Sequence, residues 1–121
     1  MNRDHRKLRA FTLADELVVG IYKATKSFPI EERYGLQSQI RRACISVPTN
    51  IVEGCARPSE GDYLRFLDIA FGSSRELSYL ILLAIRLEFL DASLGGKLHA
   101  EAEQVAGTLA ALRHSLRPDS N

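Results

Sequence analysis

A chain of 121 residues with 16 Lys and Arg against 15 Asp and Glu carries a net charge of only +1. That balance excludes a bulk electrostatic demand for nucleic acid, an anionic membrane or an acidic substrate. With 45% hydrophobic and 26% charged residues, the chain fits one globular domain with its own core and is too short for two.

The N-terminal stretch MNRDHRKLRAF is basic with no apolar run behind it, so it is not a secretory signal. Residues 1–10 are expected to form a mobile basic arm, with Arg3, Arg6, Lys7 and Arg9 facing Asp4 alone, and residues 11–117 to form the folded domain. From Phe11, the positions Phe11, Ala14, Leu17, Val18, Ile21, Ala24 and Phe28 follow the three-four spacing of an amphipathic helix with Thr12 as N-cap. Phe28-Pro29 stops it, because proline pushes its predecessor out of the helical region.

Helix 2 is predicted from Leu36 to Ala56. At 100° per residue, Gln39, Arg42, Ser46, Asn50, Glu53 and Arg57 fall within a sector roughly 80° wide, beside an apolar seam of Leu36, Ile40, Ala43, Cys44, Val47, Ile51 and Cys55. Both seams keep their phase across Pro48, which predicts a kink there and no break. Cys44 and Cys55 share this face but stand roughly 16 Å apart along the helix, beyond disulfide reach, so both are expected as reduced, buried side chains suited to a cytoplasmic location.

Ser59-Glu60-Gly61-Asp62 gives a capped start to helix 3, predicted to run to about Leu90 as the longest rod, its seam built on Tyr63, Phe66, Leu67, Ala70, Phe71, Ser74, Leu77, Ile81, Ala84, Ile85 and Phe89. Its apolar run Leu80 to Ile85 is too short to span a bilayer. Asp91 to Gly96 reads as a turn, and Leu94, Leu98, Ala102, Val105, Leu109, Leu112 and Leu116 mark a fourth helix whose regular part begins at about Lys97 and which ends before Pro118. The fold class is therefore all-α, an antiparallel up-down four-helix bundle with long helices 2 and 3.

A second apolar face is left over. Ile45, Val52 and Ala56 on helix 2, with Ile69, Leu80, Leu83 and Leu87 on helix 3, lie outside the main seams, and one bundle core cannot bury both faces. A homo-oligomer is the expected use. The polar stripe then sits between core and interface, and Gln39, Arg42, Ser46, Asn50, Glu53 and Arg57 with Ser73 and Glu76 of helix 3 form a structural polar network. Glu53 and Glu76 have no histidine, lysine or nucleophile at catalytic spacing, and His5, His99 and His114 have none of the spacing of metal ligands. No enzymatic activity, metal, cofactor or membrane is expected. Of the pair Arg41-Arg42, Arg42 points into the stripe and Arg41 is expected to be the freer.

Five segments carry a resemblance: Phe28-Pro29, Glu32-Arg33-Tyr34-Gly35-Leu36, Gln39-Ile40-Arg41-Arg42-Ala43 with Ser46, Asn50-Ile51-Val52-Glu53-Gly54 with Arg57, and Gly72-Ser73-Ser74-Arg75-Glu76-Leu77. The chain resembles, over roughly residues 11–112, the bacterial four-helix bundle family first noticed in intervening sequences of large-subunit ribosomal RNA genes. The resemblance implies a bundle assembling as a ring, typically a pentamer, with no established activity. One branch is similar to accessory proteins of diversity-generating retroelements, basic pentamers that associate with a reverse transcriptase and its template RNA. This chain departs from that branch in its balanced charge. The partners implied are a second copy of itself, a protein, or an RNA such as ribosomal RNA met by Arg3, Arg6, Lys7 and Arg9.

Overall fold

The structure, a computed structural model, describes residues 3–117. After a short 3-10 turn at His5–Lys7, four helices follow in order: α1 (Arg9–Thr25), α2 (Leu36–Cys55), α3 (Glu60–Arg86) and α4 (Ala92–Ser115), with a second 3-10 turn at Ile30–Glu32 between α1 and α2. Pairing is antiparallel. Ser46 meets Ser73 while Gly54 meets Phe66 across α2 and α3, and Ser78 meets Glu103 while Asp68 meets Arg113 across α3 and α4, so one index falls as the other rises. Each helix packs on two neighbours, α1 and α3 both lying between α2 and α4. This is the up-down bundle that short connections impose.

The core is one cluster to which all four helices contribute, with Ile21, Ile40, Ile51, Leu67, Leu77, Ile81 and Leu109 fully enclosed. Each such side chain contributes about 1.5–3 kcal/mol relative to exposure. Helix 2 runs unbroken through Pro48, and Pro48 itself is buried.

The ends show how each helix starts and stops. Ser59 Oγ accepts from the amide of Asp62 at 3.1 Å, the N-cap expected for α3. Helix α3 stops at Arg86, earlier than Leu90, because Glu88 turns into the left-handed region at φ 64°. There the amides of Glu88 and Phe89 donate to the carbonyls of Ile85 and Ala84, a Schellman closure built without glycine.

Two starts differ from the sequence expectation. Helix α1 begins at Arg9, with Leu8 at the cap position, and Thr12 lies inside the first turn with its hydroxyl toward the Leu8 carbonyl. Ala10 is buried, so apolar contact carries the helix further upstream than the Thr12 signal suggests. Helix α4 begins at Ala92, capped by Asp91, whose Oδ1 accepts from the amide of Leu94 at 2.8 Å. Gly95 and Gly96 are therefore helical. Gly95 is where α4 approaches α3, since a Cβ there would stand 2.5 Å from Ile85 Cγ1.

Candidate functional site

The polar stripe of α2 divides in the folded chain. Ser46 and Ser73 share a hydrogen bond, their hydroxyl oxygens 2.8 Å apart, and Asn50 Nδ2 donates to the Ser46 carbonyl at 2.7 Å and to its Oγ at 3.0 Å. These three residues tie α2 to α3 at mid-length. Gln39, Arg42, Glu53 and Glu76 are exposed and take no part in that tie. Arg57, also exposed, lays its guanidinium over the Phe66 ring at 5.2 Å.

The two adjacent arginines take the opposite roles to those expected. Arg41 Nε donates to Thr25 Oγ1 at 2.8 Å, its NH2 donates to the Tyr22 carbonyl at 3.2 Å, and the guanidinium lies 4.4 Å from the Tyr22 ring centre. Arg41 binds α2 to the C-terminal turn of α1, and Arg42 is the free one. The helix-wheel phase places Arg41 away from the α3 side correctly, but on that side α1 lies waiting.

Of the second apolar face, Ile45, Val52, Ile69 and Leu87 are exposed, Ile69 at 42% and Leu87 at 49%. Leu83 is half-buried against the core. Leu80 is a correction: it is 5% exposed and belongs to the core, because α3 packs on both α2 and α4 and so buries a sector wider than one seam. Tyr79 and Leu82, which lie outside both apolar faces expected from the sequence, are exposed on α3. Gly72 adds no bulk to this face, nothing standing within 4 Å of where its Cβ would be.

The basic N-terminal residues lie at the opposite end of the bundle from the Phe28–Phe89 ring contact, against the α2–α3 turn. Arg3 NH1 donates to the carbonyl of Arg57 at 2.8 Å and its guanidinium lies 4.3 Å from the Tyr63 ring centre. Arg6 pairs with Asp4 at 3.0 Å, and its hydrogen bonds hold the Asp4 carboxyl down at about 2. Lys7 and Arg9 are exposed. Met1 and Asn2, the tip of the expected arm, lie outside the described residues.

Chemically reactive groups are held in quiet settings. Burial pushes the Cys44 thiol up to about 12 and raises Cys55, and burial with the neighbouring Cys55 lifts Tyr63 to about 12, so none is a ready nucleophile at neutral pH. His5 stacks edge-on against Phe11, and His99 stands 4.0 Å from Glu103. Glu103 is already engaged, accepting from Ser78 Oγ at 2.6 Å and Arg75 NH1 at 2.9 Å. Among the described residues no group of three His, Cys, Asp or Glu could hold a metal ion, and no helix is long and apolar enough to cross a membrane.

Two of the open clefts among the described residues run along helix faces. One, of about 580 Å³, lies between α1 and α4 over Leu17, Gly20 and Leu98. The other, of about 700 Å³, follows the outer face of α2 from Arg33 and Tyr34 past Arg41 and Arg42 to Glu53.

The sequence model of a family described as 23S rRNA-intervening sequence protein matches residues 6–111. A crystal structure of a protein of unknown function from the S23 ribosomal protein family of Bacteroides thetaiotaomicron superposes with a TM-score of 0.80 at 22% identity, covering 86% of this chain and 97% of that one. At that identity the likeness carries the fold. Curated proteins gave no match.

Proposed function

The chain belongs to the 23S rRNA-intervening sequence protein family, and on that premise we propose that it is a non-catalytic homo-oligomer, a pentameric ring acting as scaffold or adaptor for another macromolecule. The observation that carries this reading is the apolar face of Ile45, Val52, Ile69 and Leu87, left exposed by a chain whose own core is already complete. An apolar face of this kind is stabilised by burial against another surface. Gly72 lets a second backbone come close at its centre. The number five follows the resemblance, not the face itself.

The non-catalytic part of the proposal rests on the setting of the carboxylates. Glu53 and Glu76 stand exposed and belong to none of the ion pairs among the described residues, where a working acid or base is set against a partner that tunes it. Light scattering on the purified chain tests the ring: a mass close to five times the 13.5 kDa of one chain supports it, and a monomer at micromolar concentration overturns it.

A second reading is an RNA-binding accessory protein, with a reverse transcriptase or ribosomal RNA as its companion. One observation favours it. Arg3, Arg6, Lys7 and Arg9 gather with Arg57 at one end of the bundle, and a ring would repeat that basic cluster around one rim. RNA retained at low salt, released steeply as salt rises and lost on deleting residues 1–10 supports this reading; no retention at low salt removes it.

A further inference from the structure

The cleft along α2 is lined by three guanidinium groups, Arg41 and Arg42 on the helix and Arg33 just before it, none in an ion pair with a carboxylate among the described residues. Arg33 and Arg42 are exposed and belong to none of the ion pairs among the described residues. Arg41 is hydrogen-bonded, but only to neutral oxygens, Thr25 Oγ1 and the Tyr22 carbonyl, so its charge also stands uncompensated. All three line the 700 Å³ cleft. The acid nearest in sequence, Glu32, is turned away onto the amide of Leu36 at 2.9 Å. The one acid in the cleft lining is Glu53, roughly 16 Å of helix rise beyond Arg42.

What lies between the cations is equally specific. Ser38 and Thr49 offer neutral hydrogen-bonding groups strung along roughly 16 Å of helix. At the mouth stands Tyr34, 89% exposed, a ring the fold makes no use of. Guanidinium groups in a row answer phosphates, and an exposed aromatic ring offers a face on which a base can stack. The cleft is open along its length, so it suits a strand passing through more than an enclosed small anion. At about 3.4 Å or more per nucleotide, its length takes about four.

We propose that the cleft along α2 is a track for single-stranded RNA, with Arg33 and Arg42 on phosphates and Tyr34 stacked on a base. This rests on the RNA-binding reading and moves its principal contact from the N-terminal residues to α2. Ile45 lines the cleft and also belongs to the apolar face proposed for assembly, so binding and oligomer mass must be read separately.

The test is fluorescence anisotropy of a labelled single-stranded RNA of about 12 nucleotides, titrated with the whole protein over a range of salt. The double variant Arg33→Ala/Arg42→Ala is expected to bind about tenfold or more weakly and to flatten the log–log salt slope by about 1.4, two phosphates' worth for a single strand. Tyr34→Ala is expected to weaken binding by about fivefold or more with the slope unchanged. Lys97→Ala, on the α1–α4 side, should bind within about twofold of wild type, which controls for bulk charge. These residues are exposed, and circular dichroism and oligomer mass confirm that each variant is folded. If Arg6→Ala/Lys7→Ala/Arg9→Ala abolishes binding while the cleft variants bind like wild type, RNA binding stands and the α2 track is wrong. If duplex RNA binds as well as the single strand and Tyr34→Ala has no effect, the track is also wrong. If no protein binds RNA at low salt, both fall together.

Discussion

Arg41 Nε donates to Thr25 Oγ1 at 2.8 Å, and Thr25, fully buried, donates its own hydroxyl to the carbonyl of Ile21 at 2.8 Å. The relay joins α2 to the last turn of α1, where that helix ends and its carbonyls lose their intrahelical partners. Thr25→Val keeps the shape and removes both bonds, leaving a guanidinium with one acceptor fewer. We expect a loss of about 1–3 kcal/mol, measured by urea unfolding. A variant within about 0.5 kcal/mol of wild type, the scatter of an inconsequential surface change, would contradict the relay.

Glu88 holds φ 64° to close the Schellman motif after α3. A non-glycine residue there carries a steric cost of about 1–2 kcal/mol. Its side chain is exposed and forms no ion pair among the described residues, so Glu88→Gly should raise stability by about 1 kcal/mol. Thermal unfolding checks it, and a lowered midpoint would mean the carboxylate does something the monomer does not display.

Glycine to alanine should have opposite signs at two helical positions. At Gly54 an added Cβ meets Phe66 Cβ at 2.9 Å and the Tyr63 carbonyl at 3.3 Å, atoms that cannot swing aside. Gly54→Ala is expected to cost about 1–3 kcal/mol by forcing α2 and α3 apart. At Gly96 nothing stands within 4 Å, and Gly96→Ala should gain about 1 kcal/mol from helix propensity alone. Equal signs in denaturant melts would refute the close α2–α3 contact.

How much of this was legible in the sequence depends on the kind of signal. The existence and order of the helices, the cap at Ser59 and the stop at Pro58 follow from periodicity and backbone sterics, which act within a few residues. The start of α4 was not legible, because the glycine pair hides a contact reason: Gly95 is small so that Ile85 can approach. Nor was the exchange of roles between Arg41 and Arg42, since a helical wheel gives direction without saying which neighbour stands there. Leu80 lies outside the seam a helical wheel draws and is nonetheless core, because α3 packs on two helices and its buried sector is wider than one seam. The Ser46–Asn50–Ser73 tie was foreseeable from the stripe; that Gln39, Arg42, Glu53 and Glu76 stand outside it was not.

Acid should unsettle the α3–α4 seam. Hydrogen bonds from Ser78 and then Arg75 hold Glu103 below its ordinary value of 4.5, while at Asp68 burial acts upward and is outweighed by the bonds from Arg117 and Arg113, leaving it below 3.8. A carboxyl depressed in the folded state stabilises fully above its ordinary value and loses that contribution as pH falls through the folded one. The urea midpoint should therefore decline from about pH 5 to about pH 3, less steeply in Glu103→Gln than in wild type. Identical slopes would remove Glu103 from the account.

In the proposed ring, the face around Ile69 meets a second copy of the chain. Sedimentation velocity on wild type beside Ile69→Glu and Leu87→Glu tests it most directly, since both positions are exposed in the single chain and the substitutions leave its core intact. One sharp boundary near five times the 13.5 kDa chain mass is expected for wild type and a folded, smaller species for each variant. Wild type sedimenting as a monomer, or both variants sedimenting like an oligomeric wild type, would contradict it.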